Sequence, residues 1–159
     1  MAARLAILKG KLYIIGLGGS LANAIHMAAD FRKLCDIDAE AFDNIAELTA
    51  RMNDEGQETI FDGWLAHTTP DDILFVLSVG GGTNDVSKSI CRACDRALYN
   101  GTPIFGIVGP KGGHTAEVGE IVIRIPAQKN ITPHTEAFQA VIWHLLVSHP
   151  LLQKNKTKW

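Results

Sequence analysis

The chain has 159 residues, 47% hydrophobic and 20% charged, which is ordinary for one soluble globular domain. Its formal net charge of −2 gives no electrostatic reason to expect nucleic acid or an anionic membrane surface as a partner, and no apolar run approaches the roughly 20 residues that a membrane span requires. The three cysteines are odd in number and no secretory signal accompanies them, which favours a cytoplasmic location.

Strands and helices alternate along the chain, beginning with a strand at residues 11–15 and a helix from about Ser20 to Leu34. Residues 36–53 are less decisive, although apolar residues recur there at helical spacing. Further strands are predicted at residues 72–77, 102–108 and 120–125. Between the first two of these, a helical pattern runs through Val86 to Leu98 and Asn100-Gly101 ends it. Cys91 and Cys94 lie in this pattern and are interpreted as two small apolar residues on one helix face.

The last predicted helix has Thr132 as its N-cap and Pro133 as its first residue, and it runs to about Ser148. Residues 1–152 are predicted to form a single domain, and residues 153–159 a loose tail. Apolar strands separated by helices predict an α/β fold, a doubly wound parallel sheet flanked by helices on both faces. In such sheets the ligand binds at the carboxyl ends of the strands.

Two glycine-rich turns follow predicted strands. The first glycine turn (residues 16–20) contains Gly18 and Gly19 and ends at Ser20, at a helix N-terminus that can bind an anion or simply be capped by the serine. It is not the dinucleotide fingerprint, because Leu21 stands where that pattern has Gly or Ala, so no nucleotide cofactor is expected. The second glycine turn (residues 78–84) places three glycines between two hydroxyl residues, a concave arrangement suited to anions. Its members are Ser78, Gly80, Gly81, Gly82 and Thr83. Two such turns in one domain indicate an anionic small molecule.

Four blocks of the sequence resemble the sugar isomerase (SIS) domain, and within that group the bacterial sedoheptulose 7-phosphate (phosphoheptose) isomerases. The blocks are residues 16–26, 53–61, 78–84 and 136–144. The resemblance implies a flavodoxin-like three-layer sandwich and an aldose–ketose isomerase that acts on a phosphorylated sugar through an enediol(ate). It also implies a homo-oligomer, a tetramer or a dimer, with sites at subunit interfaces. Family members carry leading helices before the first strand, of which residues 2–8 remain here.

The resemblance assigns the site residues as well. Ser20, Ser78 and Thr83, with the glycines of both turns, correspond to the phosphate-binding positions, and Asn53 and Asp54 to a pair near the sugar. The positions that surround a divalent metal, zinc by preference, are His26, Asp30, Glu136 and His144. Of these, Asp30 and His144 are expected to carry the proton transfer. This sequence departs from the family pattern at three of these positions, with Asp30 in place of Glu, Glu136 in place of Gln and Gly80 in place of Ser.

The spacing agrees with part of this assignment. His26 and Asp30 are four residues apart, so they share one face of a helix. Glu136 and His144 are eight apart, about 12 Å along a helix axis, so joint ligation requires both side chains to reach inward. An alternative is a non-catalytic phosphosugar-binding module with a regulatory or protein-partner role, in which His26 is a structural histidine. That module would need only the hydroxyl-bearing turns.

Overall fold

A computed structural model of the chain describes residues 1–127 and 131–157. Within these ranges five parallel strands form one sheet in the order β2-β1-β3-β4-β5. The strands are β1 (Leu12–Ile15), β2 (Ala39–Ala41), β3 (Ile73–Ser78), β4 (Ile104–Val108) and β5 (Ile121–Arg124). The chain first winds outward from β1 to β2 and then returns to β3 on the other side of β1. The prediction of a doubly wound parallel sheet is therefore confirmed.

Helices cover both faces of the sheet. They are α1 (Ala2–Leu5), α2 (Gly19–Cys35), α3 (Ile45–Asp54), α4 (Lys88–Asn100), α5 (Gly113–Val118) and α6 (Thr132–Val147), with a 3₁₀ turn at Gln57–Thr59. Side chains alternate along β3: Phe75 and Leu77 pack in one core with α2 and α6, whereas Leu74 and Val76 pack in a second core with α4. Because β3 is buried on both faces, it forms an unbroken apolar run. Among the described residues, no helix combines the length and apolar character needed to cross a membrane.

Several element boundaries differ from the sequence prediction. Strand β2 was not predicted, because its three residues, Ala-Glu-Ala, carry no β-branched or aromatic side chain. Helix α4 begins at Lys88, so Val86 lies before it and is 68% exposed. The prediction that Thr132 caps α6 is wrong, since the N-cap is Ile131 and Thr132 is already helical, with no side-chain cap bond at this end. The short helix α5, whose N-cap is Gly112 and whose first residue is Gly113, was also not predicted.

Two remaining features concern the chain's cysteines and its last residues. Cys94 is fully buried in α4, and burial raises the pKa of its thiol to about 12, in keeping with an apolar packing role. The backbone N–H groups of Lys154 and Asn155 both donate to the carbonyl of Leu34 at the end of α2. The Asn155 side chain adds bonds to the carbonyl of Lys33 and to Asp36. This part of the segment is thus attached to α2, and residues 158 and 159 lie outside the described ranges.

Candidate active site

Both glycine turns lie at the point where the strand order reverses. The first turn follows β1 directly and the second follows β3, and these strands are neighbours, with Ile15 paired to Val76. In an open parallel sheet the crevice at this point, at the carboxyl ends of the strands, is the usual ligand site. The topology therefore brings together two turns that are about 60 residues apart in the sequence.

The second glycine turn has the backbone conformation of an anion cradle. Gly81 and Gly82 have φ of +72° and +84°, which only glycine adopts without strain. The carbonyl of Gly81 accepts from the N–H and the hydroxyl of Thr115, and the carbonyl of Gly82 accepts from the N–H of His114. Because α5 holds both carbonyls, they cannot turn toward a bound anion, which suits a site for phosphate.

The hydroxyl groups of this turn differ in what they can still donate. Ser78 Oγ accepts the Gly81 N–H at 3.0 Å, a bond that leaves the Ser78 proton for a ligand. Thr83 Oγ1 lies 3.2 Å from the carbonyl oxygen of Val86, to which it donates, and accepts the Val86 N–H at 3.0 Å. Thr83 therefore stabilises its own turn in this arrangement, while the hydroxyl proton of Ser78 is not used within the turn.

The first glycine turn leads into α2 and is packed closely against α6. Ser20 is buried, and its hydroxyl donates to Oε1 of Gln139 at 3.0 Å. Gly19 lies against Glu136 of α6, since a methyl group there would lie 2.5 Å from a carboxylate oxygen, which would have to move aside. Gly18 has a φ of +59° and faces open space. Since a serine has one proton to give, Ser20 in this arrangement can meet a ligand only as an acceptor.

Three of the four predicted metal-binding side chains converge. His26 and Asp30, one turn apart on α2, have Nε2 and Oδ2 3.6 Å apart. The ring of His144 on α6 lies 5.4 Å from that of His26, centroid to centroid. One donor atom from each of the three lies within 4.8 Å of the others. Two imidazoles and one carboxylate are the kind of donor set that zinc takes in catalytic sites, so these residues fit a divalent metal.

The buried indole of Trp143 lies beneath this group. Its ring centroid is 4.8 Å from that of His26, in an edge-to-face arrangement, and it contacts His144 as well. Trp143 is fully buried, whereas the His26 side chain is 61% exposed and that of Asp30 is 21% exposed. The three donors thus form an open group above the buried indole, accessible to solvent.

The structure does not bring the other predicted residues to this group. The carboxylate of Glu136 lies at Gly19, about two helical turns from His144, as the eight-residue spacing along α6 requires. Asn53 and Asp54 are exposed at the end of α3, where Asn53 Nδ2 donates to the carboxylate of Asp54 at 2.7 Å. Within the described ranges no hydrogen bond connects this pair to the residues of either glycine turn.

Sequence reasoning missed two residues of the site, Gln139 and Asn23. Gln139 is completely buried between α6, α2 and β4, and Asn23 donates to the carbonyl of Glu136 at 2.9 Å. A sequence pattern that could have identified Gln139 is present in α6. Gln139 lies on the same helix face as the buried Thr135 and Trp143, at four-residue spacing. A glutamine in such a stripe must find partners, because a buried polar group without them is costly.

An apolar surface borders the three donors. This apolar stripe consists of Phe138, Val141 and Leu145 on α6, which are between 51% and 64% exposed. The three α6 residues follow the i, i+3, i+7 spacing of one helix face. Exposed large apolar side chains that cluster in this way are characteristic of an interaction surface.

Three known proteins similar to the chain are named phosphoheptose isomerases. A phosphoheptose isomerase of Rhodospirillum rubrum is 34% identical over 144 residues, covering 86% of this chain and 73% of the relative. A phosphoheptose isomerase of Syntrophotalea carbinolica is 30% identical over 153 residues, covering 92% and 74%. The solved phosphoheptose isomerase of Neisseria gonorrhoeae matches with a TM-score of 0.82 at 23% identity, covering 92% of this chain and 81% of that one, and this likeness confirms the expected SIS-type fold. No family model matches the chain.

Proposed function

The chain belongs to the phosphoheptose isomerase family, and we propose that it converts sedoheptulose 7-phosphate into a mannoheptose 7-phosphate through an enediol(ate). The observation that carries this proposal is the convergence of His26, Asp30 and His144, of which the first two lie on the helix that follows the first glycine turn. An isomerase needs one group to move a proton between carbons and another to exchange protons at the oxygens. The carboxylate of Asp30 and the imidazole of His144 can supply these two groups.

The residues divide the reaction between them. The second glycine turn, with the proton of Ser78, holds the phosphate and fixes the sugar chain in the crevice. Asp30 takes the proton from C1 of the ketose, and His144 transfers the proton of the C1 hydroxyl to the C2 oxygen. Asp30 then returns its proton to C2, which leaves an aldehyde at C1. No oxidant or reductant is needed, because the hydrogen count of the sugar does not change.

His26, Asp30 and His144 are the residues that would hold a divalent metal, with zinc as our proposal. A bound metal of this kind polarises a carbonyl and stabilises the negative charge of an enediolate. Glu136 on α6 is a further predicted ligand, and its carboxylate would have to swing away from Gly19 to reach the same ion. His26 also positions Asp30, since the two side chains form an i, i+4 pair.

The non-catalytic alternative is not favoured. A binding module needs the hydroxyl-bearing turns but no converging acid, base and second imidazole. The relative that is 34% identical over most of the chain is named as an isomerase. All three cysteines are free thiols, and together with sugar-phosphate chemistry this supports a cytoplasmic location for the enzyme.

The direct test is turnover of sedoheptulose 7-phosphate in D₂O, followed by NMR, with and without added zinc and with a chelator. We expect an aldose product that carries deuterium at C2, because the proton held by Asp30 exchanges with solvent during the enediol(ate) stage. His67→Ala, at an exposed position remote from the group, serves as the control and should turn over normally. Phosphosugar binding without any turnover or deuterium incorporation would contradict the isomerase and favour the binding module.

We further propose that the enzyme is a homo-oligomer, a dimer or a tetramer, whose subunits meet at the apolar stripe. A second copy is the natural occupant, because the stripe borders the open donor group and burying it would close that group from water. Residues from the neighbouring subunit would then complete the site, as the family resemblance implies.

Leu145→Glu is expected to dissociate the oligomer, since a carboxylate in a closed apolar interface loses its hydration without a partner. Light scattering coupled to size-exclusion chromatography measures the mass directly. Leu98→Glu places the same charge at an exposed leucine of α4, on the opposite face of the sheet, and should leave the mass unchanged. A wild-type protein that is monomeric at micromolar concentration would disprove this interface.

A further inference from the structure

Gln139 connects three elements through one buried side chain. Its Oε1 accepts from Ser20 Oγ at 3.0 Å and from Asn23 Nδ2 at 3.4 Å, both on α2. Its Nε2 donates to the carbonyl oxygen of Ile107 on β4 at 3.4 Å. Asn23 in turn donates to the backbone carbonyl of Glu136 on α6, so α2 and α6 are cross-linked in both directions.

The neighbours of the Gln139 amide allow only one orientation. The Ile107 carbonyl can only accept, so it must face Nε2. Asn23 presents its NH₂ group, because the same group donates to the carbonyl of Glu136. Turning the Gln139 amide over would place its oxygen against the Ile107 carbonyl oxygen and its nitrogen against the Asn23 nitrogen. Ser20 must therefore donate to Gln139, and the network has a single arrangement.

This polar network lies next to the donor group along both helices. Ser20 and Asn23 precede His26 on α2 by one to two turns, and Gln139 precedes His144 on α6 by little more than one. Apart from Cys35, whose thiol donates to the carbonyl of Val147 at 3.5 Å near the far ends of the two helices, the core residues on α2 and α6 are apolar or aromatic, such as Met27 and Trp143. Apolar packing is non-directional, so it tolerates small shifts of one helix along another. Hydrogen bonds with fixed partners do not tolerate such shifts.

We infer that Gln139 is a positioning residue, which fixes α2 against α6 and thereby brings His26 and Asp30 within ligand distance of His144. It touches none of the reacting atoms itself and acts through Ser20 and Asn23. The inference deepens the proposed function and rests on it for the role of the three donors. A shift of about 1 Å in such a group is enough to lower a rate by about a hundredfold.

The test compares Gln139→Leu with Leu146→Ala in cobalt(II) titrations followed by visible absorption. Leucine keeps most of the volume of glutamine and removes every bond of the network. We expect the cobalt affinity to fall by about 10- to 100-fold, as when other groups that support metal ligands are lost. Leu146→Ala also removes buried contacts from α6, but outside the network, so it should lower the melting temperature and leave the cobalt affinity unchanged.

Kinetics provide the second measurement. In Gln139→Leu, kcat should fall by about 10- to 100-fold and KM should change less, because Ser20 is the one predicted phosphate-binding hydroxyl in the network, whereas Ser78 and the second glycine turn lie outside it. If Gln139→Leu does not fold, Asn23→Ala removes only the amide bonds from α2 and should show the same pattern with a smaller loss.

Wild-type cobalt affinity and kcat in a folded Gln139→Leu would overturn the inference, as would an equal loss of cobalt affinity in Leu146→Ala. A wild-type protein without turnover contradicts the proposed function, and cobalt affinity then decides the positioning role. If the wild-type protein binds no cobalt, the result contradicts the proposed metal site instead. In that case the role is decided by kcat, which must fall in Gln139→Leu for the inference to hold.

Discussion

Replacing His144 with alanine should lower kcat for sedoheptulose 7-phosphate by about 10²- to 10⁴-fold, the range found when a general acid–base group is removed. His144 is the imidazole that α6 contributes to the group completed by His26 and Asp30 on α2. The side chain is exposed and sits above the buried Trp143, so its removal leaves the core intact. KM should change little, because in the proposed mechanism the second glycine turn, and not His144, binds the phosphate.

Steady-state kinetics of His144→Ala, beside the His67→Ala control, check this expectation. Cobalt(II) affinity should fall as well, since one of three converging donors is lost. The melting temperature should stay near that of the wild type, which separates a chemical role from a structural one. If His144→Ala keeps the kcat of the wild type, His144 is not an acid–base group of the reaction, and Asp30 remains as the candidate.

Gly81→Ala should be the most damaging single substitution in the phosphate turn. Gly81 has a φ of +72°, and a Cβ at this position would overlap the carbonyl oxygen of Gly112. The left-handed backbone alone costs about 1–3 kcal/mol for a residue with a side chain. Because the overlap is with backbone, the connection to α5 must open as well. We expect phosphosugar affinity to fall by about tenfold or more, the equivalent of about 1.4 kcal/mol.

Gly80→Ala is the matched control for stability. Gly80 does not have a left-handed backbone, and no atom lies within 4 Å of the position that its Cβ would occupy. Its free energy of unfolding should therefore stay within about 0.5 kcal/mol of the wild type. Urea denaturation measures both variants, and calorimetric titration with sedoheptulose 7-phosphate measures affinity. Equal stability and affinity in Gly81→Ala would show that the turn relaxes freely and is not a rigid cradle.

Much of the fold follows from local features of the sequence. The apolar runs of β3 and β4 predict strands buried on both faces, and Gly101, with a φ of +71°, ends α4 where the sequence indicates. These signals depend only on neighbouring residues and their periodicity. The predictions failed where the local signal is weak, as in β2, a three-residue edge strand that is held by pairing with β1.

The candidate site also has features that the local sequence predicts and features that it does not. The sequence by itself determines that two glycine turns follow strands and that His26 and Asp30 share a helix face, because both depend on spacing within one element. Only the tertiary structure decides that His144 joins them while Glu136 lies at Gly19, and that Ser20 meets Gln139, 119 residues further along the chain. These contacts depend on how α2 packs against α6, and no local pattern encodes the direction in which a side chain meets another helix.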